Sequence, residues 1–295
     1  MALVNPFITN KFIAYLDHKR ATTVSLAVWL IDEVIGKRPE IEITVRLQGE
    51  VNKPIKSLSG YWCFTDLTRE TYTIVAELDP ARNDWYADVE QQIELATLEA
   101  LNPVVELVLK PKPSYPFPKH LTLIRGVIQA TEGTPKRPLA GIPVYRLFKF
   151  KTEATDEAIA QFVTELQSET FSTELRQLFE GLSIPIEGDP TVTAETDEQW
   201  KIESDGNQQQ CIVELKDGQF DIYCRKSTTD PGIATESDRN GEYVLYIKKF
   251  ITDKDSNQMT TFVGAESGSS RQRKTVEISA EGKRVTRQNF EFQAQ

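Results

Sequence analysis

The chain has little of what catalysis and metal binding usually draw on. Only two of its 295 residues are histidine, His18 and His120, and three are cysteine, Cys63, Cys211 and Cys224. Neither histidine belongs to a His-Glu-x-x-His motif, so the commonest side chain for proton transfer and zinc ligation has no framework here. Three widely spaced cysteines make neither a disulfide framework nor a thiolate metal site, and they predict reduced thiols in a reducing compartment. Gly-x-x-x-x-Gly-Lys-Ser/Thr is absent, which removes the usual phosphate cradle. No apolar run approaches the roughly 20 residues that span a bilayer, and Lys11 and the stretch from Asp17 to Arg20 interrupt any leader-like core. The expectation is a cytoplasmic product with no membrane insertion. Positive charge is also short: 34 Lys and Arg against 44 Asp and Glu leave a formal net charge of −10, which disfavours nucleic acid as a partner.

What is present is a soluble globular composition, 39% hydrophobic and 26% charged, in a chain long enough for two domains. Residues 1–20 read as an N-terminal arm in which Val4, Phe7, Ile8, Phe12, Ile13 and Tyr15 mix with charges. It either packs on a neighbour or folds back on its own domain. A first β-sandwich is predicted over 21–110. Val24, Leu26, Val28 and Leu30 alternate with polar or small residues, as do Ile41, Ile43, Val45 and Leu47, and a period of two sets each group on one face of a sheet. Strands follow at Tyr61–Thr65, Thr71–Glu77 and Val104–Leu109. Between Trp85 and Leu101 the apolar spacing fits either a helical stripe or a bent strand.

Residues 111–120, with four prolines between Pro111 and Pro118, read as an extended linker, or as a Pro-rich ligand for an aromatic groove. A second β-sandwich over 121–295 opens with strands through Leu121–Gln129 and Val144–Phe150. An α-helical plus β insertion then interrupts it at about 151–232. Ile159, Phe162, Val163 and Leu166 at helical spacing, Thr155 and Asp156 as caps, a break near Thr170, a restart at Ser172 and a stop at Gly181 define two helices. Gln199–Ile202, Gln210–Leu215 and Phe220–Cys224 read as strands, the last two joined by a hairpin turn at Lys216-Asp217-Gly218-Gln219. The parent strand order resumes at Ala234 and runs through Gly241–Phe250, Thr261–Ala265, Thr275–Ala280 and Val285–Phe292.

Three segments together resemble the carboxypeptidase regulatory-like domain: Arg125-Gly126-Val127-Ile128-Gln129, Arg137-Pro138-Leu139-Ala140-Gly141-Ile142-Pro143-Val144-Tyr145, and Ala234 to Leu245 around Asp238-Arg239-Asn240-Gly241. Asn240-Gly241 would supply the positive φ of a hairpin. The resemblance implies a mainly β fold of two antiparallel transthyretin-like or immunoglobulin-like β-sandwiches. It implies no catalysis, no cofactor and no metal. Such sandwiches also occur in accessory subunits of phage-tail-like contractile injection systems. The partners implied are therefore protein subunits of a larger assembly, with the chain as a homo-oligomer such as a hexameric ring, at a cap or sheath end.

Several residues invite chemistry. Ser267 in Gly264-Ala265-Glu266-Ser267-Gly268 has the wrong glycine spacing for a nucleophile elbow and reads as loop. Asp253-Lys254-Asp255-Ser256-Asn257 starts like a calcium loop, but Gln258 stands where glycine is required and Gly264 where a bidentate acid is required. Tyr61, Trp62, Trp85 and Tyr86 could form a sugar-stacking platform, the basis of an alternative reading as a carbohydrate-binding module. Residues 151–200 hold twelve acidic residues against Lys151 and Arg176. Arg271, Arg273, Lys274, Lys283, Arg284 and Arg287 concentrate the opposite sign, so copies could join head to tail through the two.

Overall fold

The computed structural model describes residues 24–51, 53–78, 84–99, 102–152, 155–205, 209–226, 234–248, 258–268, 270–279 and 285–293. The 1–20 arm with His18, the 253–257 loop, Lys283 and Arg284 lie outside them. The chain divides into two units, Met1–Tyr115 and Pro116–Gln295.

In the first unit β1 (Val24–Asp32), β2 (Thr44–Leu47), β3 (Ile55–Lys56), β4 (Trp62–Thr65), β5 (Thr71–Glu77), β6 (Val89–Glu94) and β7 (Val104–Leu109) form two sheets, ordered β3-β4-β1-β7 and β2-β5-β6. The alternation read from β1 sets its burial: Leu26, Val28 and Leu30 are sealed, and register sets Leu26 beside Phe64 and Leu30 beside Leu107. The ambiguous stretch is a strand, β6, ended by one 3-10 turn at Leu95–Thr97. Pairing is not wholly antiparallel. β1 takes β4 antiparallel on one edge and β7 parallel on the other, because the chain returns from the second sheet running in the direction of β1. The Pro-rich stretch begins inside this unit, with Pro111 bridged to Tyr86 and Lys112 paired with Asp84 at 2.6 Å. Tyr115 donates its hydroxyl to Asp32 at 2.6 Å.

The second unit contains β8 (Thr122–Ala130), β9 (Pro143–Lys151), α1 (Asp156–Gln167), α2 (Thr173–Gly181), β10 (Thr191–Thr196), β11 (Gln199–Ser204), β12 (Gln209–Lys216), β13 (Gln219–Cys224), β14 (Ala234–Glu236), β15 (Glu242–Ile247), β16 (Gln258–Ser267), β17 (Ser270–Ser279), β18 (Val285–Arg287) and β19 (Phe290–Phe292). Both helix starts are capped as their sequences require. Thr155 Oγ1 accepts from the Ala158 amide and Ser172 Oγ from the Leu175 amide, and Glu169, at φ 53°, separates the helices.

A long sheet runs β10-β11-β12-β13-β9-β16-β17, with β14 also on β9. β9 is its pivot. Its first half pairs with β16 on one edge and β14 on the other, and its second half, Phe148–Lys151, pairs with β13. Everything from α1 to β13 thus enters after β9 and returns to it. One face of this sheet carries two hydrophobic clusters. Trp200, Ile202, Val213, Phe220 and Ile222 pack with Leu166, Leu175 and Phe179 of the helices, while Val144, Val263, Ala265 and Val276 pack with Ile124, Tyr243, Leu245 and Phe290 of the β15-β8-β18 and β19 layer. Each fully buried Leu or Phe contributes roughly 1.5–3 kcal/mol of apolar transfer, so both layers are held chiefly by burial.

Three sequence expectations change. Cys211 and Cys224 are disulfide-bonded, with Cα atoms 4.1 Å apart and both side chains sealed in the helix-facing cluster, and Cys63 alone is free. Spacing along the chain concealed this, because register across the β12–β13 hairpin, and not sequence distance, sets them opposite. Next, the turn at Asp238-Arg239-Asn240-Gly241 does not close a hairpin. β14 pairs with β9 while β15 pairs with β8, so the turn hands the chain from one sheet to the other. Only Gly241 has positive φ, 72°, where the type I′ hairpin turn typical of Asn-Gly needs two such residues, and a Cβ there would lie 2.4 Å from the Ile128 carbonyl oxygen. Asp238 stabilises the turn instead, its carboxyl accepting from the amides of Asn240 and Glu242 at 2.8 Å each. Last, the predicted strand Val285–Phe292 is two short strands, β18 and β19, both parallel to β8.

Candidate functional site

The other face of the long sheet lines a cleft of about 280 Å³, bordered by Tyr145, Leu147, Ile212, Gly264, Glu195, Glu214, Gln199, Arg271, Gln272 and Arg273. Period-two alternation produces it: next to the buried Val144, Val213, Ile222 and Val263, the residues Tyr145, Glu214, Tyr223 and Gly264 face the other way. β10 and β17 are the two ends of the strand order, yet Arg271 of β17 bonds Glu195 of β10. The sheet is curled until its edges meet, and the cleft is the trough inside the curl.

The polar groups of the trough are joined to one another. Arg271 Nε also reaches Glu266 at 3.1 Å, Glu266 pairs with Arg225 at 3.1 Å, and the Tyr145 hydroxyl donates to Glu266. Arg273 meets Glu214 with two bonds, 3.0 and 2.8 Å, and Gln199 donates to the same carboxyl at 2.9 Å. Both arginines of the inner wall lie over aromatic faces, Arg273 at 3.5 Å from the Tyr223 ring centroid and Arg225 at 3.8 Å from that of Tyr145. Gly264 is required by this packing, since a Cβ there would stand 2.5 Å from the Tyr145 ring. Beyond the trough, Lys149 pairs with Asp221 at 2.6 Å.

Burial pushes the Tyr145 hydroxyl well above the ordinary phenol range, and its bond to Glu266 adds to the shift. For Lys149 burial works toward the neutral amine, but bonds to Asp221 and Tyr223 outweigh it and the ammonium is favoured. Glu195, Glu214 and Glu266 each contact a guanidinium, so the carboxyls that line the trough are committed as acceptors. The parts of the chain that supply them are distinct. Glu195, Gln199, Glu214, Tyr223 and Arg225 come from the segment between β9 and β14, and Tyr145, Glu266, Arg271 and Arg273 come from β9 and the β16–β17 hairpin. Chemically, this arrangement clamps one stretch of chain onto another.

The residues singled out from the sequence scatter. The basic residues Arg271 and Arg273 find acidic partners within the same chain, and Lys274 bonds the Asn289 carbonyl oxygen at 2.5 Å. Ser267 sits at the tip of the β16–β17 hairpin, opposite Ser270. His120 is exposed. The four aromatics do not make one platform: Tyr86 is buried and donates to Asp32, Trp85 lies edge-on to Tyr115, Tyr61 packs on Trp29 at 4.7 Å, and Trp62 takes Lys56 over its ring at 4.8 Å. Sequence reasoning overlooked Glu214, Tyr223 and Arg225. Their signal was present as the polar set alternating with Cys211, Val213, Ile222 and Cys224.

No protein-family model matches the chain, and no curated protein does. Among solved structures it is similar to the minor pilin GBS52 of Streptococcus agalactiae, at 10% identity over 90% of this chain and 94% of that one, TM-score 0.22. It is similar also to variants of the shaft pilin SpaA of Lactobacillus rhamnosus GG, one of them at 9% identity over 92% and 98%, TM-score 0.22.

Proposed function

We propose that the chain is a non-enzymatic structural protein that acts through contacts with other protein subunits. The observation that carries this reading is the trough: its carboxyls and guanidiniums bind each other across the seam between two parts of one chain, and so serve architecture. The two-sandwich layout, with the α1-to-β13 segment inserted in the second sandwich, belongs to the same proposal. Placement at a cap or sheath end of a contractile injection system, and a hexameric ring, rest on the resemblance seen in the sequence alone.

The compartment proposed from the sequence is the cytoplasm. The Cys211–Cys224 bond weighs against a strongly reducing one, and alkylation of free thiols at the moment of lysis decides between them. The test of the main reading is gradient sedimentation of a native extract from cells that make the chain. It should run far heavier than its own 33.5 kDa. A 33.5 kDa position in the extract would overturn the reading. Carbohydrate binding remains the alternative on the strength of Trp85, which is half-buried; glycan-array binding that Trp85→Ala abolishes would favour it.

A further inference from the structure

The hairpin that joins β3 to β4 projects an apolar side chain where a turn is ordinarily polar. Leu58, at its apex, is 108% exposed, and Ile55 on the approach is 62% exposed. The apex is fixed by its own bonds. The Ser57 amide donates to the Tyr61 carbonyl oxygen at 2.8 Å, the Gly60 amide to that of Ser57 at 3.0 Å, and Ser57 Oγ accepts from the Tyr61 amide at 3.0 Å. Leu58 is thus held out into solvent by an ordered turn.

The charge of this hairpin is opposite to that of the chain. From Val51 to Thr65 there are two lysines, Lys53 and Lys56, and no acidic residue, in a chain of net charge −10. Arg38 adds a third cation, because its guanidinium lies against Gly60, where a Cβ would collide with it. Elsewhere in the unit Arg46, Arg69 and Lys112 pair with Glu77, Glu50 and Asp84. Arg38, Lys53 and Lys56 form no ion pair with a described acid, and Lys56 sits over the Trp62 ring at 4.8 Å. Lys56 and Gly60 lie two residues to either side of Leu58, at most about 7 Å of chain, so cations stand on both flanks of the apex.

We infer that this hairpin tip docks on the surface of a lipid bilayer that carries anionic headgroups. A single convex apex with cations on both flanks suits a fluid surface, which closes around it and supplies anions on all sides. Leu58 and Ile55 enter the acyl boundary, Lys53, Lys56 and Arg38 stay at the headgroup phosphates, and Tyr61 and Trp62 follow at the level that amphipathic rings favour. The charge of the whole chain opposes this at long range, but exposed charges more than about 8 Å apart are largely screened at physiological salt, so the local sign decides. The contact is reversible and one-sided, and nothing in it spans the bilayer. It goes beyond the assembly reading and does not rest on it.

Flotation of the purified full chain with vesicles of phosphatidylcholine, alone or mixed with phosphatidylserine, tests it. The chain should float with the anionic vesicles and several-fold less with the neutral ones, and binding should weaken as salt rises. Leu58→Glu should lower binding at least about tenfold and Lys56→Ala about fivefold; both positions are exposed, and circular dichroism checks each fold. Leu58→Trp should keep binding, and its added fluorescence should shift to the blue on anionic vesicles, which reports the apex leaving water. Failure to float with anionic vesicles overturns the inference, and so does flotation that Leu58→Glu leaves intact or that neutral vesicles match. A chain that ignores vesicles but leaves its native assembly when Leu58→Glu is introduced would also overturn it, and would assign the tip to a protein partner.

Discussion

Asp32, 1% exposed, ends β1 and accepts hydrogen bonds from the hydroxyls of Tyr86 and Tyr115 at 2.5 and 2.6 Å and from the amides of Val34 and Ile35 at 2.7 and 3.1 Å. It ties the first strand of its unit to the last residues of the same unit. Removing one donor leaves a sealed acceptor short of partners, so Tyr86→Phe should cost about 1–3 kcal/mol in denaturant unfolding of the first unit, and a change within error would contradict the clasp. The same tyrosines set a pH dependence. Burial pushes Tyr86, Tyr115, Tyr145 and Tyr243 above the normal phenol range, with Asp32 adding to the first two and Glu266 to the third. A raised folded pKa contributes stability that is complete below the unfolded pKa near 10 and is lost as pH rises through the folded value. Stability should therefore hold through neutral pH and fall above about pH 10, with phenolate absorbance appearing together with unfolding. Smooth phenolate titration of a chain whose fold stays intact would show that these hydroxyls are free.

The hairpin of β12 and β13 shows what a sequence discloses about an element and what it withholds. The turn at Lys216–Gln219 was legible, and so were both strands. Counting five residues outward from Lys216 and from Gln219 reaches Cys211 and Cys224, so the disulfide followed from register once the turn was placed, and reading cysteine spacing along the chain missed it. Helix caps at Thr155 and Ser172 were legible because capping is local. β10 was not, since Val192 is its only buried side chain and no alternation marks it. The parallel pairings of β7, β18 and β19, and the curl that brings Glu195 to Arg271, depend on contacts far apart in sequence, which periodicity does not carry. Two outcomes belong to this scale. Thiol titration of the unfolded, unreduced chain should find one free thiol of three, and Cys224→Ser should cost roughly 3 kcal/mol, as expected for a closed loop of this length; three free thiols would remove the bridge. In the trough, with Arg273 and Glu214 about a quarter exposed, a double-mutant cycle on the pair should give a coupling of about 1 kcal/mol that shrinks with salt. A coupling of zero would mean the seam is held by the hydrophobic clusters alone.

At the scale of the whole molecule, exposed apolar side chains concentrate in the first unit. Among the described residues, the exposed large hydrophobics are Val24, Ile35, Val51, Ile55, Leu58, Val108 and Val285, and all but the last belong to the first unit. Apolar surface of that kind favours protein contact. The central claim, that the chain works through protein contacts, is tested most directly by gradient sedimentation of a native extract from cells that make the chain. The account predicts the chain in fractions well above 33.5 kDa. An unaltered chain that sediments at 33.5 kDa in its own extract would contradict it.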